Sequence, residues 1–71
     1  MERTYVASSN IRSIGYDTEN KILEVEFHNG SIYQYYNVPQ NRYEGLMKAG
    51  SKGIYLDTFI KKHGYTYRRI R

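Results

Sequence analysis

The only proline of this 71-residue chain, Pro39, separates two kinds of hydrophobic patterning. Before Pro39, apolar and polar residues alternate with the period of two that is typical of β-strands, and after it the apolar residues recur at the spacing of α-helices. Proline favours the first turn of a helix, because its missing N–H would have no partner there. This order of patterns predicts an α+β fold in which strands precede helices.

The clearest strand signal is a β-hairpin. Within residues 22–28, three apolar side chains alternate with Glu24 and Glu26, and residues 31–38 form the predicted return strand. The Asn29-Gly30 pair between them is typical of a two-residue type I′ turn, because both residues tolerate a positive φ. We therefore expect two antiparallel strands joined by a tight turn.

A two-residue turn also sets the cross-strand register. It places Tyr33 opposite Glu26 and Tyr35 opposite Glu24, and cross-strand partners point to the same face of a sheet. Both tyrosines are therefore predicted to lie on the more polar face, beside two carboxylates. The opposite, core face is predicted to carry Leu23, Val25, Phe27, Ile32 and Tyr36.

Further strands are expected on either side of the hairpin. Residues 11–17 predict a preceding strand, in which Gly15 indicates a bulge or a close backbone approach. Residues 3–7 are consistent with an edge strand, and residues 65–70 return to a period of two at the end of the chain. The expected topology is an antiparallel meander of three to four strands, two short helices and a C-terminal strand that rejoins the sheet.

The two helices follow Pro39. Gly50 is a plausible end for the first helix, and Ser51 can cap the start of the second. Lys61, Lys62 and Gly64 are expected to end the second helix. The apolar positions that define the two helices are Tyr43, Leu46 and Met47 in the first, and Tyr55, Leu56, Phe59 and Ile60 in the second.

Size and composition restrict the class of protein. The length allows one domain, residues 1–71, and the chain has no cysteine for disulfides or for a zinc cluster. No apolar run approaches the length of a membrane span, and the N-terminal residues lack the layout of a signal peptide, so a cytoplasmic location is expected. Nine tyrosines cannot all be buried in so short a chain, so several rings are expected at the surface.

Short motifs occur along nearly the whole chain in a characteristic order: Ser8-Ser9, Ile14-Gly15-Tyr16-Asp17, Tyr33-x-Tyr35, Val38-Pro39, Ala49-x-Ser51-x-Gly53-x-Tyr55 and Tyr65-x-Tyr67. This ordered set resembles the KTSC domain, a module named for the C-terminus of some lysyl-tRNA synthetases and also found as a small stand-alone bacterial protein. The resemblance implies no catalytic residues, and an RNA-binding role has been suggested for the family. One departure is Leu56-Asp57, where the family more often has an aromatic residue and Asn; it bears on helix packing.

No arrangement of residues predicts catalysis. His28 and His63 have no Ser, Cys or Asp partner at a recognisable motif spacing. Glu24 and Glu26, on an open strand, would lack the burial that separates the pKa values of an acid–base pair. Residues 50–53 lack a phosphate-loop pattern, although the start of the second helix can be explained either as a phosphate site or as an ordinary cap. We expect a non-enzymatic protein without a metal or a cofactor.

The basic charge is concentrated at the C-terminal end. Residues 61–71 carry a net charge of +5, whereas residues 1–60 carry −1. A basic patch beside aromatic rings favours a polyanionic partner. The candidate nucleic-acid-binding residues are Lys61, Lys62, Tyr65, Tyr67, Arg68, Arg69 and Arg71, together with Tyr33 and Tyr35.

The same residues have structural explanations. Lysines in a last helical turn oppose the helix dipole favourably, and arginines on an edge strand block aggregation. A helix could also cover the face that carries Tyr33 and Tyr35, and this favours core packing over a binding platform for the Tyr33-x-Tyr35 motif.

The leading hypothesis is therefore a non-catalytic module that binds RNA or another nucleic acid. One alternative is a protein–protein interaction or accessory module, which the excess of tyrosine and an edge strand that can pair both indicate. Another is a homodimer joined through that edge.

Overall fold

The alternating half of the chain folds into the strands of a single antiparallel sheet. The computed structural model describes residues 1–71, and its five strands lie in the spatial order β1-β2-β3-β4-β5. The predicted α+β meander, with a C-terminal strand that rejoins the sheet, is confirmed. The strands are β1 (Thr4–Tyr5), β2 (Ile11–Asp17), β3 (Ile22–Phe27), β4 (Ile32–Tyr35) and β5 (Tyr67–Arg69).

The helical half forms α1 (Gln40–Lys48) and α2 (Lys52–Tyr55), which continues into a π-helical segment (Leu56–Lys61). The Ser51 side chain accepts a hydrogen bond from the Ile54 N–H at 3.4 Å, which confirms the predicted cap. Helix α1 ends at Lys48 with Ala49 as its C-cap, so it stops directly before Gly50 as expected, although Gly50 does not take the positive φ of a left-handed glycine cap. None of the helices has the length and apolar composition needed to cross a bilayer.

The β3–β4 hairpin turns through three residues rather than two. The Phe27 N–H donates to the Ser31 carbonyl at 2.9 Å, and the Gly30 N–H donates to the Phe27 carbonyl at 2.9 Å. Gly30 has a φ of +93°, whereas Asn29 keeps a negative φ. The predicted type I′ turn is wrong, because that turn needs a positive φ at both positions; one left-handed glycine is typical of a three-residue loop.

The extra loop residue shifts the register by one position. Tyr33 lies opposite Val25 and Tyr35 opposite Leu23, while Glu24 lies opposite Gln34. A one-residue slip exchanges the two faces of a strand. The prediction that Tyr33 and Tyr35 lie beside the carboxylates is therefore wrong, and the placement of Ile32 and Tyr36 on the core face is wrong for the same reason.

The core lies between the sheet and the helices. The Tyr16 ring on β2 stacks on the Tyr43 ring of α1, with centroids 4.8 Å apart, and its hydroxyl donates to the Val38 carbonyl. The two helices approach closely, because the Tyr55 side chain lies directly over Gly45. The buried core residues are Ile11, Ile14, Leu23, Val25, Tyr35, Val38, Leu46, Leu56 and Ile60.

The opposite face of the sheet carries a polar network. Arg3 forms an ion pair with Glu24, which is only 5% exposed, and its Nε donates to the Ser13 Oγ at 3.0 Å. Ser13 donates to Glu26 at 2.8 Å, and the Gln34 amide donates to Glu24 at 2.8 Å. Both carboxylates are therefore satisfied on the face away from the helices.

Gly15 allows the N-terminal residues to cross this second face. A Cβ at Gly15 would collide with the Glu2 carbonyl and would lie 3.0 Å from the Cγ of Arg3. Of the two explanations that the sequence left open for this glycine, the close backbone approach is confirmed. The bulge in β2 lies elsewhere, between Ile11 and Ser13.

Candidate nucleic-acid-binding groove

A groove opens along β4 on the helix side of the sheet, between β3, β5 and the end of the π-helical segment. Its volume is about 480 Å³, within the range of pockets that hold small ligands. No acidic side chain lines it. We call it the tyrosine groove, and its lining residues are Phe27, Asn29, Ser31, Tyr33, Tyr35, Lys61, Tyr65 and Tyr67.

Three tyrosine rings form one wall of the tyrosine groove. Tyr33 and Tyr35 have centroids 6.4 Å apart, and Tyr67 lies 6.0 Å from Tyr33 and 5.9 Å from Tyr35. The edge of Phe27 meets Tyr33 at 5.9 Å. These separations are typical of favourable aromatic pairs. Tyr67 is 63% exposed, so one ring of the cluster offers its surface to a ligand.

Tyr35 is the most buried of these rings, with 3% of its surface exposed. Burial, and then the neighbouring Tyr33 and Tyr67, raise the pKa of its phenol to about 12. The phenol therefore stays protonated at neutral pH and can both donate and accept a hydrogen bond.

Two cations lie on the groove side. The Lys61 Nζ lies 5.2 Å from the centroid of the Phe27 ring, over which it makes a cation–π contact. Arg69 is the cross-strand partner of Tyr33 and therefore shares its face of the sheet. Its Nε donates to the Arg71 main-chain oxygen at 3.0 Å, and no Asp or Glu side chain pairs with it.

Two of the remaining cations, Lys62 and Arg68, lie away from this groove. Lys62 pairs with Asp57 at 3.4 Å on the exposed side of the π-helical segment. Arg68 lies opposite Gln34 and so belongs to the other face of the sheet. Arg71 extends β5 through its carbonyl, which accepts from the Ile32 N–H at 3.0 Å. Of the nine candidates chosen from the sequence, the groove brings together Tyr33, Tyr35, Lys61, Tyr65 and Tyr67.

Three lining residues were missed as site residues: Phe27, Asn29 and Ser31. The Asn29 Oδ1 accepts from the Ser31 N–H at 3.0 Å and from its hydroxyl at 2.7 Å, which leaves the amide N–H groups of Asn29 free. The signal that could have found them is the glycine at the third loop position, since a three-residue loop turns these side chains toward the tyrosines.

A second, polar groove of about 580 Å³ lies between residues 7–10 and the start of α2. The Lys52 Nζ is occupied by the Ala49 carbonyl at 3.0 Å, and the Ser51 Oγ by its capping bond. This arrangement favours the ordinary cap over a phosphate site.

The two histidines are exposed and line neither groove, although each contacts a lining residue. The His28 Nε2 lies 2.9 Å from the Ser8 carbonyl, and His63 stacks on Tyr65 at 4.4 Å. Neither ring is hydrogen-bonded to a Ser or Thr hydroxyl.

The fold and the groove define a small α+β domain with an aromatic and basic cleft beside a short edge strand. The chain belongs to the KTSC domain family, whose model matches residues 7–65. The resemblance drawn from the sequence motifs is therefore confirmed.

Relatives of the same size share the whole chain. A solved structure of a KTSC domain protein from Yersinia pestis is 42% identical, with a TM-score of 0.90 over 99% of this chain and 97% of that one. An uncharacterized protein from Stutzerimonas stutzeri is 43% identical over 70 residues, which cover 99% of each chain.

The domain also occurs within larger proteins. A lysine–tRNA ligase from Nostoc punctiforme is 40% identical over 51 residues, and a ligase from Trichormus variabilis is 42% identical over 51 residues. The alignment covers 72% of this chain but only 9% of each ligase, so the likeness concerns a small part of those enzymes.

Proposed function

We propose that this protein is a non-catalytic module that binds single-stranded nucleic acid in the tyrosine groove. The observation that carries the proposal is the meeting of four tyrosines and Lys61 in one cleft without an acidic lining residue. Proteins that bind single strands combine aromatic rings, on which bases stack, with cations that hold the phosphate backbone.

The shifted register removes the main electrostatic objection to this function. Had Glu24 and Glu26 lain beside Tyr33 and Tyr35, they would have repelled a phosphate chain. They lie instead on the opposite face, where Arg3 partly neutralises them. On the groove face, Lys61 and Arg69 form no ion pair with an Asp or Glu side chain.

The lysine–tRNA ligase relatives support RNA as the nucleic acid. Those enzymes, by their name, act on a tRNA, and a segment similar to this domain is part of their chains. A module that holds unpaired RNA would suit both settings, alone or joined to a larger enzyme.

The test is a titration of fluorescently labelled single-stranded RNA at several salt concentrations, followed by anisotropy. Two groove cations in contact with phosphates give an expected slope of log K against log salt of about −1.4. A flat titration, or no binding at low salt, would remove the proposal.

Neighbouring positions on β5 supply a matched pair of variants. Arg69→Glu places a negative charge on the groove face, whereas Arg68→Glu places the same charge on the opposite face. The proposal expects a large loss of affinity for Arg69→Glu and a smaller loss for Arg68→Glu. Equal losses would show that only the overall charge matters and not the groove.

A protein partner is the second candidate function, and the exposed edge of β5 favours it. All three residues of this strand are exposed, and a short edge strand offers unpaired backbone groups to another strand. Such pairing uses the backbone, so both charge variants would keep a captured partner. A homodimer through the same edge would show a sedimentation coefficient that rises with protein concentration.

A further inference from the structure

Tyr35 differs from the other buried polar side chains in having no partner. Its hydroxyl makes no hydrogen bond within the protein, although the residue is only 3% exposed. No fully buried side-chain nitrogen or oxygen lacks a partner, so the hydroxyl is the part of Tyr35 that reaches the groove surface. A hydroxyl that faces a cleft from an otherwise buried side chain and has no protein partner is free to donate to a ligand atom or accept from one there.

The surroundings of this hydroxyl define the chemistry of that atom. The Tyr33 and Tyr67 rings lie within 6.4 Å of the Tyr35 ring, measured between centroids, so the base of the groove is apolar. The faces of these rings offer a phosphate no hydrogen bonds to replace its hydration. A neutral, planar group with polar edges fits better, because its face can lie on the rings while its edge meets the hydroxyl.

Resting on the proposed function, we propose that the tyrosine groove seats one unpaired nucleobase whose polar edge is hydrogen-bonded by the Tyr35 hydroxyl. The exposed Tyr67 ring supplies a stacking surface, and Lys61 and Arg69 meet the phosphates that flank the base. The ligand class is therefore single-stranded nucleic acid, because a base inside a duplex is stacked and its pairing edge is already occupied.

The substitution Tyr35→Phe tests this contact, because it removes only the hydroxyl. Since the hydroxyl has no partner in the protein, we expect an unchanged or slightly higher melting temperature, so the variant remains folded. The matched control is Tyr36→Phe. It removes a hydroxyl on the opposite face, where Tyr36 donates to the Gln34 Oε1 at 3.0 Å.

Binding is measured with three labelled probes: single-stranded RNA oligomers of randomised sequence, single-stranded DNA oligomers of the same design, and an RNA duplex. The loss of one hydrogen bond is expected to weaken binding of both single strands to Tyr35→Phe by about threefold to tenfold. Tyr36→Phe should bind like the wild type, and the duplex should bind more weakly and without a difference between the variants.

The outcomes separate this inference from the function on which it rests. Equal affinity of the wild type and Tyr35→Phe for single strands would overturn the inference and leave the proposed function standing. A loss for RNA but not DNA would overturn the base contact, because it would place the ribose hydroxyl at Tyr35. If the wild type binds no single strand, the proposed function fails and the inference fails with it.

Discussion

The ion pair between Arg3 and Glu24 holds the N-terminal residues across the second face of the sheet, and we expect its removal to destabilise the protein. In the substitution Arg3→Met, most of the apolar stem is kept while the charge is lost. Glu24, which is 5% exposed, would keep the hydrogen bond from Gln34 but would lose its cation. Glu26 would lose the same cation, whose nitrogen lies 4.0 Å from its carboxylate.

The size of the effect follows from the burial of the pair. Removing one partner of a fully buried ion pair costs about 3–5 kcal/mol. The Arg3 side chain is 27% exposed, so solvent screens part of the interaction, and we expect a loss of about 2 kcal/mol. In a domain of this size, about 2 kcal/mol corresponds to a fall in melting temperature of roughly 8–16 °C.

Thermal unfolding followed by circular dichroism measures this loss. The matched control is Arg12→Met, because Arg12 is exposed and has no acidic partner; its expected cost is within about 0.5 kcal/mol. In a double-mutant cycle with Glu24→Gln, Arg3→Met should cost less than it does in the wild type. Equal melting temperatures for Arg3→Met and Arg12→Met would refute this account of the second face.

Three further predictions concern the core and the hairpin. Gly45→Ala should lower the free energy of unfolding by about 1–3 kcal/mol in urea titrations, because the new methyl group would collide with Tyr55; an unchanged value would contradict the close helix contact. Gly30→Ala should cost about 1–2 kcal/mol in the same assay for a backbone reason alone, since its φ is +93° and nothing lies within 4 Å of the added Cβ; a stabilised variant would contradict the three-residue loop. Burial raises the pKa of Tyr35 from 10.0 in the unfolded chain to about 12 in the folded protein, so folding favours the protonated phenol. The stability that results from this pKa difference is present in full below pH 10 and is lost as the pH rises toward 12. The free energy of unfolding of the wild type, relative to Tyr35→Phe, should therefore fall by about 2–3 kcal/mol over that interval, and a constant difference would exclude the burial of the phenol.

The strands and their order follow from local sequence patterns. Alternation in residues 22–28 and in the C-terminal segment predicts β3 and β5, and Ser51 predicts the start of α2, because each of these signals acts between neighbouring residues. These elements could be predicted without knowledge of the tertiary structure.

The register of the hairpin could not be predicted in the same way. Asn29-Gly30 is compatible with a two-residue turn and with a three-residue loop that needs only Gly30 in the left-handed region. The choice depends on which face each strand can bury. Glu24 can be buried on the second face because Arg3 reaches it across 21 positions of sequence, and no local pattern reports that partner.

The candidate site was predicted in part for the same reason. The basic and aromatic character of the C-terminal segment identified Lys61, Tyr65 and Tyr67, which do line the groove. The face of Arg68 could not be assigned, because it depends on the pairing of β5 with β4. The groove itself exists only because the register turns Tyr33 and Tyr35 toward the helices.

Amide chemical-shift mapping tests most directly the claim that the groove face binds single-stranded nucleic acid. Isotope-labelled protein would be titrated with short single-stranded RNA oligomers and, separately, with an RNA duplex. Our account expects progressive shifts at Tyr33, Lys61, Tyr67 and the hairpin loop with the single strands, and little change at the Arg3–Glu24 network. Shifts centred on that network, or no shifts at low salt, would contradict the account.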